Sequence, residues 1–493
     1  FVALTVTPYL SYHLLREKDE QEHKEEQGLE TSRIYKLYNK LERPFLESSK
    51  KRMVMLVITT VLLIGSVLMF FTKSVAVKML PFDNKNEFQV VIDMPEGTTL
   101  ERTAAVTKEI AQYLSTVPEV VDYQNYIGAS APITFNGLVR HYDLRGGSNM
   151  ADIQVNLLHK EDRDLQSHDI AKIVRPEVQK IAKKYGANVK IIEVPPGPPV
   201  LSTLVAEIYG PDYAEQIKVA KQVKTILETT PDIVDIDWMV EDAQIEYKLE
   251  VDKEKAMLNG IAPQQVVGNL TYLLREMPVS NLYDERSTNP VGIVLSLDDQ
   301  DKTSLQDIQN LKIKGSQGNV VPVSDLVKVK ESTLQNTIYR KDQKRVVYVT
   351  ADMAGDLESP VYAILGMEEK LQKMNLPKGY SVNELYMEQP SDESNFAVKW
   401  DGEWQITLEV FRDLGVAFLV VILVIYMLIV GWFQNFKTPI VMMLAIPLSL
   451  IGIVLGHWLL GAFFTATSFI GMIALAGVMV RNSVLLIDFI EIR

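Results

Sequence analysis

Cysteine is absent from all 493 residues, which removes disulfides, thiol nucleophiles and thiolate metal ligands together. That suits a part exposed to an oxidising compartment. No Gly-Lys dipeptide occurs, so there is no Walker A phosphate loop, and the six histidines show neither HxH nor HExxH spacing. The sequence offers no ATPase or zinc-hydrolase site, and no cofactor is expected. Basic surplus is lacking as well: 50 Lys and Arg stand against 63 Asp and Glu, a net charge of -13. A phosphate backbone needs a basic face, so nucleic acid is not an expected partner. An initial Met is also missing. Phe1 opens an apolar run with no basic lead-in, which reads as the tail of a spanning helix and not as a signal peptide. Because Arg493 falls within a helical pattern, the expectation is an internal piece of a longer protein.

What is present is unevenly spread. Mean hydropathy is an ordinary +0.04, yet residues 1–15, 53–72, 414–433 and 438–480 contain no Asp, Glu, Lys or Arg. All the charge is crowded into the remainder, so the chain is an integral membrane protein with a large aqueous part. Residues 53–73 and 414–433 each match the hydrocarbon thickness as a helix. The long run after Lys437 divides at Gly456, Gly461 and the Thr/Ser cluster 465–468 into spans at 439–461 and 467–490. Lys50, Lys51, Arg52 and Lys437 flank spans and place those ends in the cytoplasm by the positive-inside rule. Residues 16–52 then form a cytoplasmic connector whose Ile34, Leu37, Tyr38 and Leu41 suit a surface helix, and residues 74–408 lie outside.

The outside part reads as a repeat. Phe88, Val90, Ile92 and Met94 alternate as a half-buried strand, Thr98 and Glu101 form a capping box for the next helix, and Val120 to Ile127 returns as a strand. Ile153, Val155 and Leu157 begin a second strand-helix-strand unit that closes at Val189 to Val194. This doubled split βαβ is ferredoxin-like. After a stiff Pro195-Pro-Gly-Pro-Pro199 linker the order restarts, with Asp212 and Glu215 opening a helix. Pro118-Glu-Val-Val-Asp122 and Pro231-Asp-Ile-Val-Asp235 sit at matching points of the two copies. The second copy is expected to continue at Ile245, Tyr247, Leu249 and Val251, and to finish with a helix over 359–374 and a strand over 380–385. The organisation expected is a first subdomain at 74–203, a second at 204–251 plus 337–388, and an inserted module at 252–336, where Gly315-Ser-Gln-Gly318 turns a hairpin. Residues 389–413 would lead back to the membrane.

At this point the chain resembles the resistance-nodulation-division (RND) efflux transporters, hydrophobe/amphiphile or AcrB-like branch. FVALTVTPYL at 1–10 resembles the end of that family's sixth span, and LPFDNKNEFQVVIDMPEGTTLERT at 80–103 the segment after its seventh. IPLSLIGIVLG at 446–456 and GMIALAGVMVRNSVLLIDFIE at 471–491 are similar to its ninth and tenth spans. The resemblance implies an α+β membrane protein: a transmembrane helix bundle carrying periplasmic porter subdomains and an inserted docking module. It implies a proton-driven homotrimer in the inner membrane of a Gram-negative-type cell, exporting amphiphilic small molecules with a periplasmic adaptor and a TolC-type outer-membrane channel, and contacting membrane lipid. The acidic pair that carries protons in span 4 of the family would lie outside this chain.

Candidate site residues follow from both readings. Arg481 sits about fourteen residues into an apolar span, where a charge is costly and usually functional. With Asn482 beside it and Asp488 two turns on, it suits a fixed counter-ion in proton relay, because a guanidinium keeps its proton. By position the loop 128–147, with Phe135, Leu138 and Tyr142, looks like the family's switch loop beside the substrate pocket; Met94 is a further candidate there. Met94 and Met150 also raise an alternative, export of soft Cu(I) or Ag(I) through thioether ligands; two or three Met converging in the cleft would favour it. Asp298, Asp299 and Asp301 lack the spacing of a calcium loop and read as a solvated turn. A SecDF-like or lipid-handling superfamily relative is the non-efflux alternative, and the size of the inserted module argues against it.

Overall fold

The computed structural model describes residues 5–14, 33–132, 135–194, 197, 200–275, 278–283, 286–355 and 357–492. Of the Pro195–Pro199 linker only Gly197 falls among them. The chain opens with helices α1 (Val6–Leu14), α2 (Arg33–Glu47) and α3 (Ser49–Phe71). The 23 residues of α3 reach about 34 Å at 1.5 Å each, enough to cross a hydrocarbon core.

Next come β1 (Glu87–Asp93), α4 (Leu100–Leu114), β2 (Val120–Ala129), the short α5 (Phe135–Arg140), β3 (Gly146–Leu157), α6 (Ser167–Tyr185) and β4 (Asn188–Ile192). The strands pair in the order β2-β3-β1-β4, every neighbour antiparallel, which is the ferredoxin-like sheet. Apolar residues three and four apart on each helix share one face, so Val106, Ile110 and Leu114 of α4 and Val174 and Val178 of α6 cover Val90, Ile92, Ile153 and Val155. The expected capping box is not formed. Thr99 occupies the N-cap, and the Thr98 hydroxyl donates instead to the carbonyl of Pro95 at 2.6 Å, a nearer backbone acceptor.

The second copy begins with β5 (Leu204–Tyr209), α7 (Tyr213–Glu228) and β6 (Ile233–Trp238). Asp212 caps α7 by accepting from the Glu215 amide at 3.0 Å. An inserted module then runs through β7 (Ile245–Val251), α8 (Lys253–Leu258), α9 (Pro263–Arg275), β8 (Pro278–Leu282), β9 (Val291–Val294), α10 (Leu305–Asn310), β10 (Lys312–Lys314), β11 (Val320–Pro322), α11 (Val323–Leu326) and β12 (Val327–Thr333). Here the structure departs from the sequence reading. β7 pairs along its whole length with β12, from Val251 opposite Val327 to Ile245 opposite Thr333. It therefore forms the neck of the module and does not belong to the second subdomain. Leu249 and Val251 pack on the module's own core of Ile261, Val266 and Leu326.

The second subdomain resumes later, with β13 (Arg340–Lys341), β14 (Lys344–Arg345), β15 (Val347–Met353), α12 (Pro360–Gln372), β16 (Val382–Leu385) and β17 (Phe396–Gly402). Its sheet order is β16-β17-β5-β15-β6, so β15 takes the third-strand position expected of 245–251. The fourth position belongs to β17, inside the segment expected to be a mere connector, and the expected strand near 380–385 is a parallel edge on it. Phe396, Val398 and Trp400 of β17 are buried against α7 and α12 in a core shared with Leu204, Val223, Val349 and Ile364.

Four membrane elements complete the chain: α13 (Glu403–Phe433), α14 (Lys437–Met443), α15 (Ala445–Leu460) and α16 (Ala466–Ile492). Among the described residues four segments are long and apolar enough to cross a membrane: Ser49–Phe71, Glu403–Phe433, Lys437–Leu460 and Ala466–Ile490. Ile429, Met442, Ile446, Ala476 and Val480 pack where α13, α14, α15 and α16 meet.

β17 passes into α13 without a linker, at Gly402, whose φ of +79° only glycine adopts freely. A Cβ there would press on the carbonyl oxygens of Ser202 and Thr203. Gly402→Ala is therefore expected to cost about 1–3 kcal/mol or more. Thermal unfolding in detergent checks this; an unchanged midpoint would contradict it.

Candidate functional site

Charge joins the two subdomains, around the neighbouring strands β4 and β6 and from helices α5 and α6. Lys190 on β4 is buried, with its ammonium 3.0 Å from Asp93 on β1 and paired to Asp237 on β6. Burial opposes its charge, but Asp237 and Asp93 outweigh that and raise its proton affinity. Arg175 on α6 pairs with Asp235, whose second oxygen accepts from the Ile191 amide at 3.2 Å. Arg140, closing α5, forks onto Asp352 at 2.8 and 3.4 Å. Asp352 is fixed in turn by the Ser202 hydroxyl, the Thr203 amide and the Thr203 hydroxyl, each at 2.9 Å. Burial would raise its pKa, yet Arg140 holds it well below the usual carboxylate range. The pairs Lys190–Asp237, Arg175–Asp235 and Arg140–Asp352 each span the two subdomains.

A fourth bridge is built on His168, at the start of α6. Its Nδ1 lies 2.6 Å from Glu193 and its Nε2 2.7 Å from Glu358, just before α12 in the other subdomain. Burial disfavours the imidazolium, but these two carboxylates outweigh it and push His168 up to about 9. For Glu358 burial likewise opposes ionisation, and hydrogen bonds from His168 and Lys172 bring it down to about 2.

Above these bridges the subdomains part into a cleft of about 430 Å³. Met94, Glu96 and Met150 line one side; Trp238, Met239 and Asp242 line the other. Burial and the neighbouring Asp242 push the Glu96 carboxyl up, so it holds a proton more readily. Thioethers and an aromatic ring give this wall polarisable, adaptable contact surface.

The sequence-derived candidates separate in space. Met94, at the end of β1, lines the cleft while also packing in the first core, and Met150 faces it from opposite Asp93 on β3. Leu138 is exposed on α5 and does not line this cleft. Tyr142 stands beside the Arg140 and Lys190 cations and 5.6 Å from the Arg145 guanidinium, at the bridges and not in the cleft wall. Phe135 opens α5, and its side chain lies outside the described residues. Arg481 and Asn482 lie exposed in the middle of α16, away from the cleft, and Arg481 has no ion-pair partner among the described residues. Asp298 accepts from the Gln300 amide at 3.3 Å in a 3₁₀ turn. Sequence reasoning missed Met239, Trp238 and the bridging charges; the one available signal was Lys190 and Asp235/Asp237 recurring at alternate strand positions, on the face where a half-buried strand turns its polar side.

A family model for the AcrB/AcrD/AcrF family matches residues 1–492. The chain belongs to this family of RND permeases, and its fold is the RND permease fold. It is 22% identical over 494 residues to the swarming motility protein SwrC of Bacillus subtilis, covering 99% of this chain and 42% of that protein. An uncharacterized transporter of Haemophilus influenzae is 21% identical over 99% of this chain and 44% of its own length. The chain thus spans less than half the length of these relatives. Two crystal forms of a heavy metal efflux pump superpose with TM-scores of 0.70 and 0.72 at 18% identity, over 88% and 92% of this chain and 42% and 44% of that pump.

The raised pKa of His168 has a definite pH consequence. Its contribution to holding the subdomains together is fully present below the unfolded value of about 6.5 and is lost as pH rises through the folded value, about 9. Glu358 acts oppositely, losing its contribution only as pH falls toward 2. The midpoint of thermal unfolding should drop as pH rises through about 9, and His168→Gln should flatten that limb. The same alkaline limb in the variant would contradict the assignment.

Proposed function

We propose that this chain forms the cleft-bearing half of a proton-driven export pump that moves amphiphilic small molecules out through the gap between its two subdomains. The observation that carries the reading is the cleft itself. Two independently cored blocks meet through charges, and the gap above them is lined by Met94, Met150, Trp238, Met239, Val240 and Tyr339 together with the carboxylates Asp93, Glu96, Asp237, Glu241 and Asp242. The thioether and aromatic part of this lining binds by area and re-packs around different guests, which suits broad specificity, and the carboxylates suit guests that carry positive charge. Loop 128–147, with Phe135, Leu138 and Tyr142, would act on the cleft through the Arg140–Asp352 pair.

In this reading residues 74–408 face the periplasm and the apolar helices lie in the inner membrane of a Gram-negative-type cell. The pump works as a homotrimer, with an adaptor and an outer-membrane channel of TolC type. Arg481, with Asn482, serves as fixed counter-ion to carboxylates supplied from outside this chain. When those carboxylates protonate, the attraction disappears and the helices can shift.

Convergence of Met94, Met150 and Met239 on one cleft favours a second reading, export of a soft cation such as Cu(I) or Ag(I). Replacing Met150 and Met239 together by Leu separates the two, because Leu keeps the apolar volume and removes only the sulfur. In cells expressing the full-length protein, ethidium export and silver tolerance should both stay at wild-type level. Loss of silver tolerance with ethidium export intact would establish the metal reading instead. Arg481→Met should abolish proton-driven export and Arg481→Lys should keep part of it; full export by the Met variant would remove Arg481 from the relay.

A further inference from the structure

Between the membrane helices and the cleft lies a buried charge cluster that the transport reading leaves unused. Lys78, in the segment leaving α3, has a side chain only 2% exposed, and its ammonium lies 3.4 Å from Glu358. The same ammonium sits 4.1 Å above the Phe82 ring, and Phe82 stacks on His168 at 4.0 Å. His168 and Lys172, both on α6, reach Glu358 at 2.7 and 2.9 Å, and Glu193 holds the other side of His168. Glu403, the first residue of α13, also faces Lys78. Three cations and three carboxylates are thus drawn from the α3 exit, from both subdomains and from the head of α13.

The backbone around Lys78 is strapped on both sides. The Lys78 amide donates to the Phe464 carbonyl at 3.1 Å, the Phe464 amide to Ala76 at 2.8 Å and the Ala466 amide to Met79 at 3.1 Å. Ala466 is the first residue of α16, the helix that carries Arg481. On its other edge the Ser359 hydroxyl donates to the Val77 carbonyl at 2.7 Å, and the Tyr362 hydroxyl accepts from the Val77 amide at 3.2 Å. Ser359 and Tyr362 belong to the start of α12 in the second subdomain. A rigid helix that shifts at Arg481 therefore pulls on residues 76–79, and residues 76–79 pull on α12.

Glu358 is the one member bonded to three cations, two of them on α6 and the third in the segment leaving α3. It is also held at a φ of +43° in the left-handed region, a strained conformation for a residue with a Cβ that persists where the surroundings over-determine it. We propose that Glu358 is the positioning residue through which displacement of α16 and the α3 exit is passed to the cleft, and that its contacts with Lys78 and His168 must separate for the cleft to open. This rests on the transport reading. Neither Glu358 nor Lys78 lines the cleft between the methionines, so the assignment leaves substrate binding alone.

The test uses the full-length protein in liposomes with an imposed pH gradient, with ethidium as probe. Glu358→Gln leaves Lys78 of the α3 exit and His168 of α6 without their shared counter-ion, and export should fall about tenfold or more while ethidium affinity stays unchanged. As a second arm, Lys78→Cys with Glu358→Cys, in a chain that has no cysteine of its own, is bridged by a reducible bifunctional thiol reagent. The unbridged double variant, which also lacks Glu358, should show lowered export like Glu358→Gln, and that remaining export should stop on bridging and return to the same lowered level on reduction. Normal export by Glu358→Gln, by the bridged pair, or a loss of ethidium affinity equal to the loss of export would overturn the proposal. Wild-type protein that fails to move ethidium would overturn the transport reading, a result separate from any failure of the variants.

Discussion

Everything that distinguishes this structure rests on two compact blocks being joined by charge and not by oil. Each subdomain closes its own apolar core, one under α4 and α6 and the other under α7 and α12. What crosses between them is Arg140 to Asp352, Arg175 to Asp235, Lys190 to Asp237 and His168 to Glu358. An apolar junction of the same extent would resist opening, since separation would expose its area to water. A buried ion pair offsets much of its Coulomb attraction by desolvation. Such pairs hold register firmly when closed and can be exchanged for water when the blocks part.

The same logic organises the membrane part. α3, α13, α15 and α16 share only a small common core and turn most of their apolar surface outward. Lipid is as apolar as their side chains, so such helices associate by close packing and hydrogen bonds and not by a hydrophobic drive. Arg481, with Asn482 beside it, is the charge nearest the middle of α16, the acidic Asp488 and Glu491 lying toward its far end, and α16 begins at the hydrogen-bonded strap beside Lys78. Charge in the membrane, charge at the strap and charge between the subdomains lie along one continuous path.

Local order was readable in the sequence to the extent that it is local. Uncharged runs mark the spans, alternation marks the strands, and β2 and β6 begin at Val120 and Ile233, matching points of the Pro-led repeat. Pairing partners were not readable, because alternation at Ile245, Tyr247, Leu249 and Val251 specifies a strand without saying which distant strand it meets. β7 joined β12, and its expected place went to β15. The role of β17 was hidden because Phe396 to Gly402 stands so close to a membrane span that it reads as a connector. The bridging residues were invisible for a similar reason. Arg140, Arg175 and Asp352 each look like ordinary solvated charges until the fold sets them opposite one another, whereas Met94 was found because it ends a recognisable strand.

The central claim is that the subdomains are rigid blocks that move apart across their charged junction. Pulsed electron-electron distance measurement on the full-length protein tests it most directly, with spin labels at the exposed Lys183 of the first block and Lys373 of the second, and a control pair at Lys108 and Lys183 within one block. The account predicts a single narrow distance for the control pair and, for the pair across the junction, two populations whose ratio changes with substrate and with pH. One narrow, substrate-independent distance across the junction would contradict it.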